Sequence, residues 1–240
     1  MTVAPDLDIH VLVDEGAQAA MEGRDVGGSY GEAVQVLEWA HERFGNRLVV
    51  ATSMTDAVLA HLASTVIPGV RLAFIDTGYH FPETLGMADA VEATHPVNLL
   101  RITPIQSVAE QDATRGPRLY ERNPDLCCAL RKVEPLNRML NAHDAWVSGL
   151  RREDAATRTW IPTVTIDAKR NKVKINPIAA WTQADVDAYV GEHNILINPL
   201  QDEGYLSIGC APCTRPVTEG TDVRAGRWAN SAKTECGMHL

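Results

Sequence analysis

The sequence predicts an α/β fold, a mainly parallel twisted sheet with helices on both faces. Three observations predict it. Short β-branched apolar runs alternate with helical patterns along the chain, and this alternation makes a parallel sheet whose crossovers are helices. At 240 residues the chain can bury an ordinary core without disulfide staples. The residues just after the apolar runs are rich in hydroxyl, carboxyl and guanidinium groups, which is where open α/β sheets bind ligands.

Taken in order, residues 1–29 are polar and acidic with weak periodicity and read as an N-terminal arm or helix. In "YGEAVQVLEWAHERFG", Val34, Leu37, Trp39 and Ala40 share a helical face and Gly45 fits a stop. "RLVVATS" is a strand, "SMTDAVLAHLAST" a turn into a helix, and "VRLAFIDTGYHFPET" a second strand, a turn and a helix start. "VNLLRITP", "AWVSGLRR" and "KVKINPI" add strands, and Thr182 is placed to cap the helix of "TQADVDAYVGEHN". "CCALRK" starts a helical segment that Pro135 either kinks or reopens as a first helical residue. No repeat or linker interrupts residues 30–220. Thr52, Ser53 and Thr55 follow the first strand beside a helix start, a pattern that helix capping and anion binding explain equally.

A formal net charge of −9 disfavours a general nucleic-acid binder. The first residues lack a basic then apolar leader, and no apolar run approaches a membrane span. The expectation is a soluble cytoplasmic protein with no membrane partner. Cations nevertheless gather near the cysteines: Arg131, Lys132, Arg151, Arg152, Arg158, Arg215, Arg224 and Arg227. Their grouping suggests a small anionic ligand.

All five cysteines lie in "DLCCALRKVEPL", "GCAPCTRPV" and "KTECGMHL". In a reducing compartment such groups bind metal or react rather than form disulfides. The first two segments can supply four thiolates to one centre, which zinc and an iron-sulfur cluster both accept. Adjacent cysteines favour the cluster, because several irons can take neighbouring residues with splayed side chains. Cys236 is left over, as an unused thiol or as a redox nucleophile on a chain end.

The combination "DLCCALRKVEPLNR", "GLRRED", "NPLQDEGYLSIGCAPCTRPV", "AGRWAN", "KTECGMHL" and "FIDTGYHFPET" resembles the assimilatory adenylylsulfate (APS) reductases, relatives of the phosphoadenylylsulfate (PAPS) reductases. The resemblance runs from about Tyr30 to Leu240. It implies an adenine-nucleotide α-hydrolase-like fold, a 4Fe-4S cluster on Cys127, Cys128, Cys210 and Cys213, and Cys236 as nucleophile on a mobile tail spanning 221–240. It also implies preference for APS and release of sulfite by thioredoxin.

The same resemblance sets Lys132, Arg224, Arg227 and His239 around the sulfate end, and Arg151, Arg152 and Arg158 at the nucleotide. Thr52, Ser53, Asp56, Asp76, Thr77 and Gly78 would border the adenosine. The chain departs from the related Ser-Gly-Gly-x-Asp-Ser loop, with Thr52 and Ser53 where serine and glycine are common. Competing readings are a PAPS reductase, an ATP pyrophosphatase of tRNA thiolation, and a non-catalytic four-cysteine zinc module. A homo-oligomer is compatible with the sequence.

Overall fold

The computed structural model describes residues 8–218, 222–228, 233 and 235–238. Its centre is a sheet in the order β3 (Val97–Ile102), β2 (Val70–Ile75), β1 (Leu48–Thr52), β4 (Ala145–Ser148), β6 (Lys172–Ile175) and β5 (Val164–Asp167). β1, β2, β3, β4 and β6 run parallel, and the edge strand β5 runs antiparallel to β6. The five parallel strands are those the sequence predicts. β5 was not expected: it is a four-residue edge strand that pairs with β6 only.

Period-two alternation assigns each strand's side chains to two cores. Leu48 and Val50 of β1, Leu72 and Phe74 of β2, and Ala145 and Val147 of β4 pack with α1 (Ile9–Phe44), α2 (Val58–Val66), α3 (Pro82–Thr94) and α8 (Gln183–His193). Val49, Ala73 and Trp146 face the other way, onto Leu136, Met139 and Leu140 of α7 (Glu134–Leu140). Between α3 and α7 lie three short helices: α4 (Val108–Arg115), α5 (Leu119–Arg122) and α6 (Pro124–Cys128).

α1 is a hairpin rather than a rod, because Gly27 and Gly28 leave helical geometry and the chain folds back there. A Cβ on Gly23 would stand 2.4 Å from the carbonyl oxygen of Gly31, so only glycine permits this approach. Arg43 pairs with Glu15 at 2.7 Å, and Arg24 pairs with the buried Glu32, across the same hairpin. The arm expected at 1–29 thus contains, among its described residues, a packed helical half.

The chain climbs from β1 to β3 on one side of β1 and places β4 on the other. The order therefore reverses between β1 and β4, and a crevice opens beyond their carboxyl ends.

Candidate active site

That crevice holds a cavity of about 490 Å³. Its wall includes Thr52 and Ser53 after β1, Thr77 and His80 after β2, and Ser148, Gly149 and Arg151 after β4. Asp56, Lys132, Arg158, Arg224, Arg227 and Cys236 complete the predicted residues that line it. Three expected residues do not. Asp76 and Gly78 build the turn after β2, where Gly78 N–H donates to Asp76 Oδ1 at 2.9 Å. Arg152 turns away, its Nε donating to the Ile161 carbonyl at 3.0 Å. His239 lies outside the described residues.

The loop after β1 is fixed by its own backbone. Met54 adopts φ +60° and is fully buried, a left-handed conformation that glycine takes freely and a methionine takes at a cost of about 1 kcal/mol. The buried Asn198 holds the strained residue, donating from Nδ2 to the Met54 carbonyl at 3.1 Å and to Thr84 Oγ1 at 3.2 Å. Ala57 N–H donates to the Leu196 carbonyl at 2.9 Å, and Val58 N–H to Asp56 Oδ1 at 3.0 Å. Asp56 thus closes the turn that leads into α2, one residue before its cap, and its carboxyl is held above its ordinary pKa chiefly by desolvation. The hydroxyls of Thr52, Ser53 and Thr55 remain on the cavity wall.

At the opposite end the helix α6 runs through a π-helical turn, Ala129–Val133, into α7. The extra residue per turn lets the chain pass Pro135 without a break, and it buries both Arg131 and Lys132. Arg131 is fixed by carbonyls: Nε donates to Thr77 O and Nη1 to Gln106 O at 3.1 Å. Lys132 lines the main cavity and also a second, small one whose wall contains Cys127, Cys128, Cys210 and Cys213. Burial alone would lower the lysine pKa, but the sulfurs of Cys210 and Cys236 hold it above the ordinary value.

The four cysteines are free thiols in one pocket. Desolvation, then repulsion from Cys128, Cys210 and Cys213, pushes the Cys127 thiol up to about 12, and desolvation pushes Cys213 up to about 11. Such thiols ionise only against strong positive charge, which a bound metal supplies. Thr77 Oγ1 lies 3.3 Å from Cys210 Sγ. Among the described residues no three His, Cys, Asp or Glu side chains form a group for a single metal ion. The donor chemistry, four sulfurs around one pocket, is a set that zinc and an iron-sulfur cluster both accept.

Residues 222–228 complete the wall by returning along the Cys-x-x-Cys segment. Arg215 N–H donates to Gly226 O at 2.9 Å and Trp228 N–H to Cys213 O at 3.0 Å. A Cβ on Gly226 would meet the Arg215 carbonyl oxygen at 2.1 Å, so this pairing requires glycine. Arg227 lies over the Trp228 ring at 4.6 Å and donates to the Ile208 carbonyl at 3.3 Å. Its Nε, and Nη1 of Arg151, are buried with no hydrogen-bond partner among the described residues. Unpaired guanidinium donors on a cavity wall favour an anion there.

Cys236 is buried against Cys128 and Trp228, with Cys213 and Met238 packed beside it. Its neighbour Glu235 grips Arg158 and Arg224. Sequence reasoning missed Trp228, Glu235 and His80 as parts of the wall. The motifs "AGRWAN" and "KTECGMHL" contain the first two, and "GYHF" the third; nothing in their spacing shows that they converge.

Comparison with known proteins follows the same outline. The model of the phosphoadenosine phosphosulfate reductase domain matches residues 47–216. An adenosine 5'-phosphosulfate reductase of Streptomyces coelicolor is 60% identical over 207 residues, covering 86% of this chain and 88% of that protein. One from Rhodococcus opacus is 48% identical over 249 residues, covering 100% and 98%.

Among solved structures, PAPS reductase of Candida auris superposes with TM-score 0.70 at 28% identity, over 88% of this chain and 100% of that one. FMN adenylyltransferase of Candida glabrata shares the fold alone, with TM-score 0.57 at 11% identity over 97% and 84%. A switch-point cavity flanked by paired cysteines, with this extent of likeness, has one reading: the chain belongs to the phosphoadenosine phosphosulfate reductase domain family.

Proposed function

We propose that the protein is an adenylylsulfate reductase of sulfate assimilation, reducing APS to sulfite and AMP, with Cys236 as nucleophile. The observation that carries this reading is the convergence of Cys236, Lys132, Arg224 and Arg227 on one cavity at the sheet's switch point. Relatives named adenosine 5'-phosphosulfate reductase, 46–60% identical, support APS as the substrate.

The sulfur of APS is joined to AMP through a mixed anhydride and is electrophilic. In the proposed reaction the Cys236 thiolate forms a bond to that sulfur, the bond between sulfur and the bridging oxygen breaks, and AMP leaves with the electron pair. The product is S-sulfocysteine, Cys-S-SO3−. A thioredoxin-type dithiol then attacks the cysteine sulfur, sulfite departs with the bonding pair, and the second thiol resolves the mixed disulfide. The dithiol is the two-electron donor and ends as a disulfide.

A thiolate must approach a sulfate and a phosphate, so the cations neutralise negative charge before attack. Lys132, Arg224 and Arg227 serve the sulfate end, and Arg151 and Arg158 the nucleotide. Preorganised donors of this kind contribute about 3 kcal/mol each to lowering a barrier. Cys127, Cys128, Cys210 and Cys213 would hold a 4Fe-4S cluster; when bound, it supplies a charged iron-sulfide centre beside Lys132. The cysteines form no disulfide, which suits the reducing cytoplasm, and no described helix is long and apolar enough to cross a membrane.

The test is sulfite release from APS and from PAPS, each with thioredoxin and its reductase. A kcat/KM higher for APS supports the reading. The opposite order makes the protein a PAPS reductase, and no sulfite from either substrate overturns the reading.

A further inference from the structure

We propose that Glu235 is a positioning residue whose carboxylate docks the C-terminal segment on Arg158 and Arg224, so that the neighbouring Cys236 faces the cavity. The proposal rests on the reading of Cys236 as the nucleophile and adds to it the device that places the thiol. Arg158 Nε donates to Glu235 Oε1 at 2.9 Å and Arg158 Nη2 to Oε2 at 3.0 Å, a two-pronged contact. Arg224 Nη2 donates to the same Oε2 at 3.1 Å. Glu235 is 8% exposed and Arg158 9%.

Planar guanidinium-carboxylate pairing fixes direction as well as distance, and the anchor lies one residue from the thiol. On the other side of Cys236, Arg170 Nη1 donates to the Met238 carbonyl at 3.2 Å, and Met238 packs with the core of Leu136, Met139 and Trp146. The thiol is thus bracketed by arginine ties on both sides, in a segment whose described residues form no helix or strand.

Both Arg158 and Arg224 line the cavity. Arg158 also pairs with Asp154 at 3.3 Å, so docking the tail and binding the substrate draw on the same two cations. Removing the carboxylate charge should release the segment and leave Arg158 to the nucleotide and Arg224 to the sulfate end. That pattern separates a positioning role from a general loss of structure.

The experiment uses Glu235→Gln, with Glu235→Asp as the conservative variant, in the iron-loaded protein. Without substrate, alkylation of Cys236 by iodoacetamide, read on its tryptic peptide, should speed up about tenfold in Glu235→Gln. In single turnover at saturating APS, S-sulfonation of Cys236 should slow by about ten- to a hundredfold, with AMP affinity changed by less than about threefold and the visible absorption retained. Glu235→Asp should fall between wild type and Glu235→Gln on both rates.

Alkylation and sulfonation rates like wild type in Glu235→Gln would overturn the proposal. So would loss of both activity and absorption, since that marks a structural role; if Glu235→Gln fails to fold, Arg158→Lys gives the same alkylation readout. Faster alkylation in a protein whose wild type forms no S-sulfocysteine keeps the docking role and overturns the catalytic reading instead.

Discussion

The two ends of the cavity are built by opposite means. The loop after β1 is held by backbone hydrogen bonds and the neutral amide of Asn198, around one strained residue. The end formed by residues 207–238 has, among the described residues, no strand longer than an isolated bridge, and is held by arginine–carboxylate pairs and by Arg224 and Arg227 lying over the Trp228 ring. On the proposed reading, rigid, uncharged construction suits the place where a neutral adenosine is received, and ionic construction the place where negative charge is gathered and a thiol presented.

The sharpest test of this contrast is Cys236→Ser. At the ionic end it should abolish S-sulfonation, a loss of about a thousandfold or more, while fold and nucleotide affinity at the rigid end persist. Mass spectrometry after incubation with APS and no reductant checks it: wild type gains one SO3 on the Cys236 peptide and the variant gains none. An adduct on another cysteine would break the assignment.

Lys132→Ala should come next, slowing single-turnover sulfonation by about a hundredfold with iron content retained, because one buried cation between the thiols and the cavity is lost. Rapid-quench measurement of the Cys236 adduct reads it; turnover like wild type would show that the ionic end does not need this charge.

Asn198→Ala carries the test to the rigid end. It removes donors to Met54 and Thr84 from a fully buried site, and should lower stability by about 2 kcal/mol, or the melting temperature by about 5 °C. Sulfonation at saturating APS should change little in comparison, as calorimetry and single turnover together would show.

The smallest effect concerns acid. Desolvation holds the imidazoles of His61, His80, His95 and His143 below the ordinary histidine pKa. Below about pH 6.5 the unfolded chain binds more protons at these sites than the folded one. Stability is therefore full above that pH, falls as the pH drops toward the folded-state values, and levels off below them for these groups. Thermal melts from pH 7.5 to 5.5 should show the midpoint falling. A midpoint that rises toward acid would contradict the assignment.

The contrast also explains what could be read in advance. The five parallel strands and the position of the cavity follow from alternation and from the rule that ligands sit beyond strand ends, so Thr52, Ser53, Thr77 and Arg151 were accessible to sequence reasoning. α4 was missed although its start shows a capping box, Ser107 with Glu110. The resemblance sets Asp76, Gly78 and Arg152 at the substrate; in the structure Gly78 N–H bonds Asp76 Oδ1, Arg152 Nε bonds the Ile161 carbonyl, and none of the three lines the cavity. Glu235 and Trp228 lie in a segment without periodicity, where only long-range pairing decides the neighbours, and spacing in the chain carries no record of that pairing.

The hairpin at the start of the chain has a consequence for the order of events at the ribosome. Glu32 accepts a bond from Thr163, 131 residues later, and Trp181 Nε1 donates to the Ser29 carbonyl across 152. The hairpin therefore lacks these partners from the time it leaves the exit tunnel until residues 163–181 have emerged. During that interval the buried carboxylate and the apolar face of the hairpin remain open to water or to a chaperone, and a nascent chain arrested short of Trp181 keeps them so.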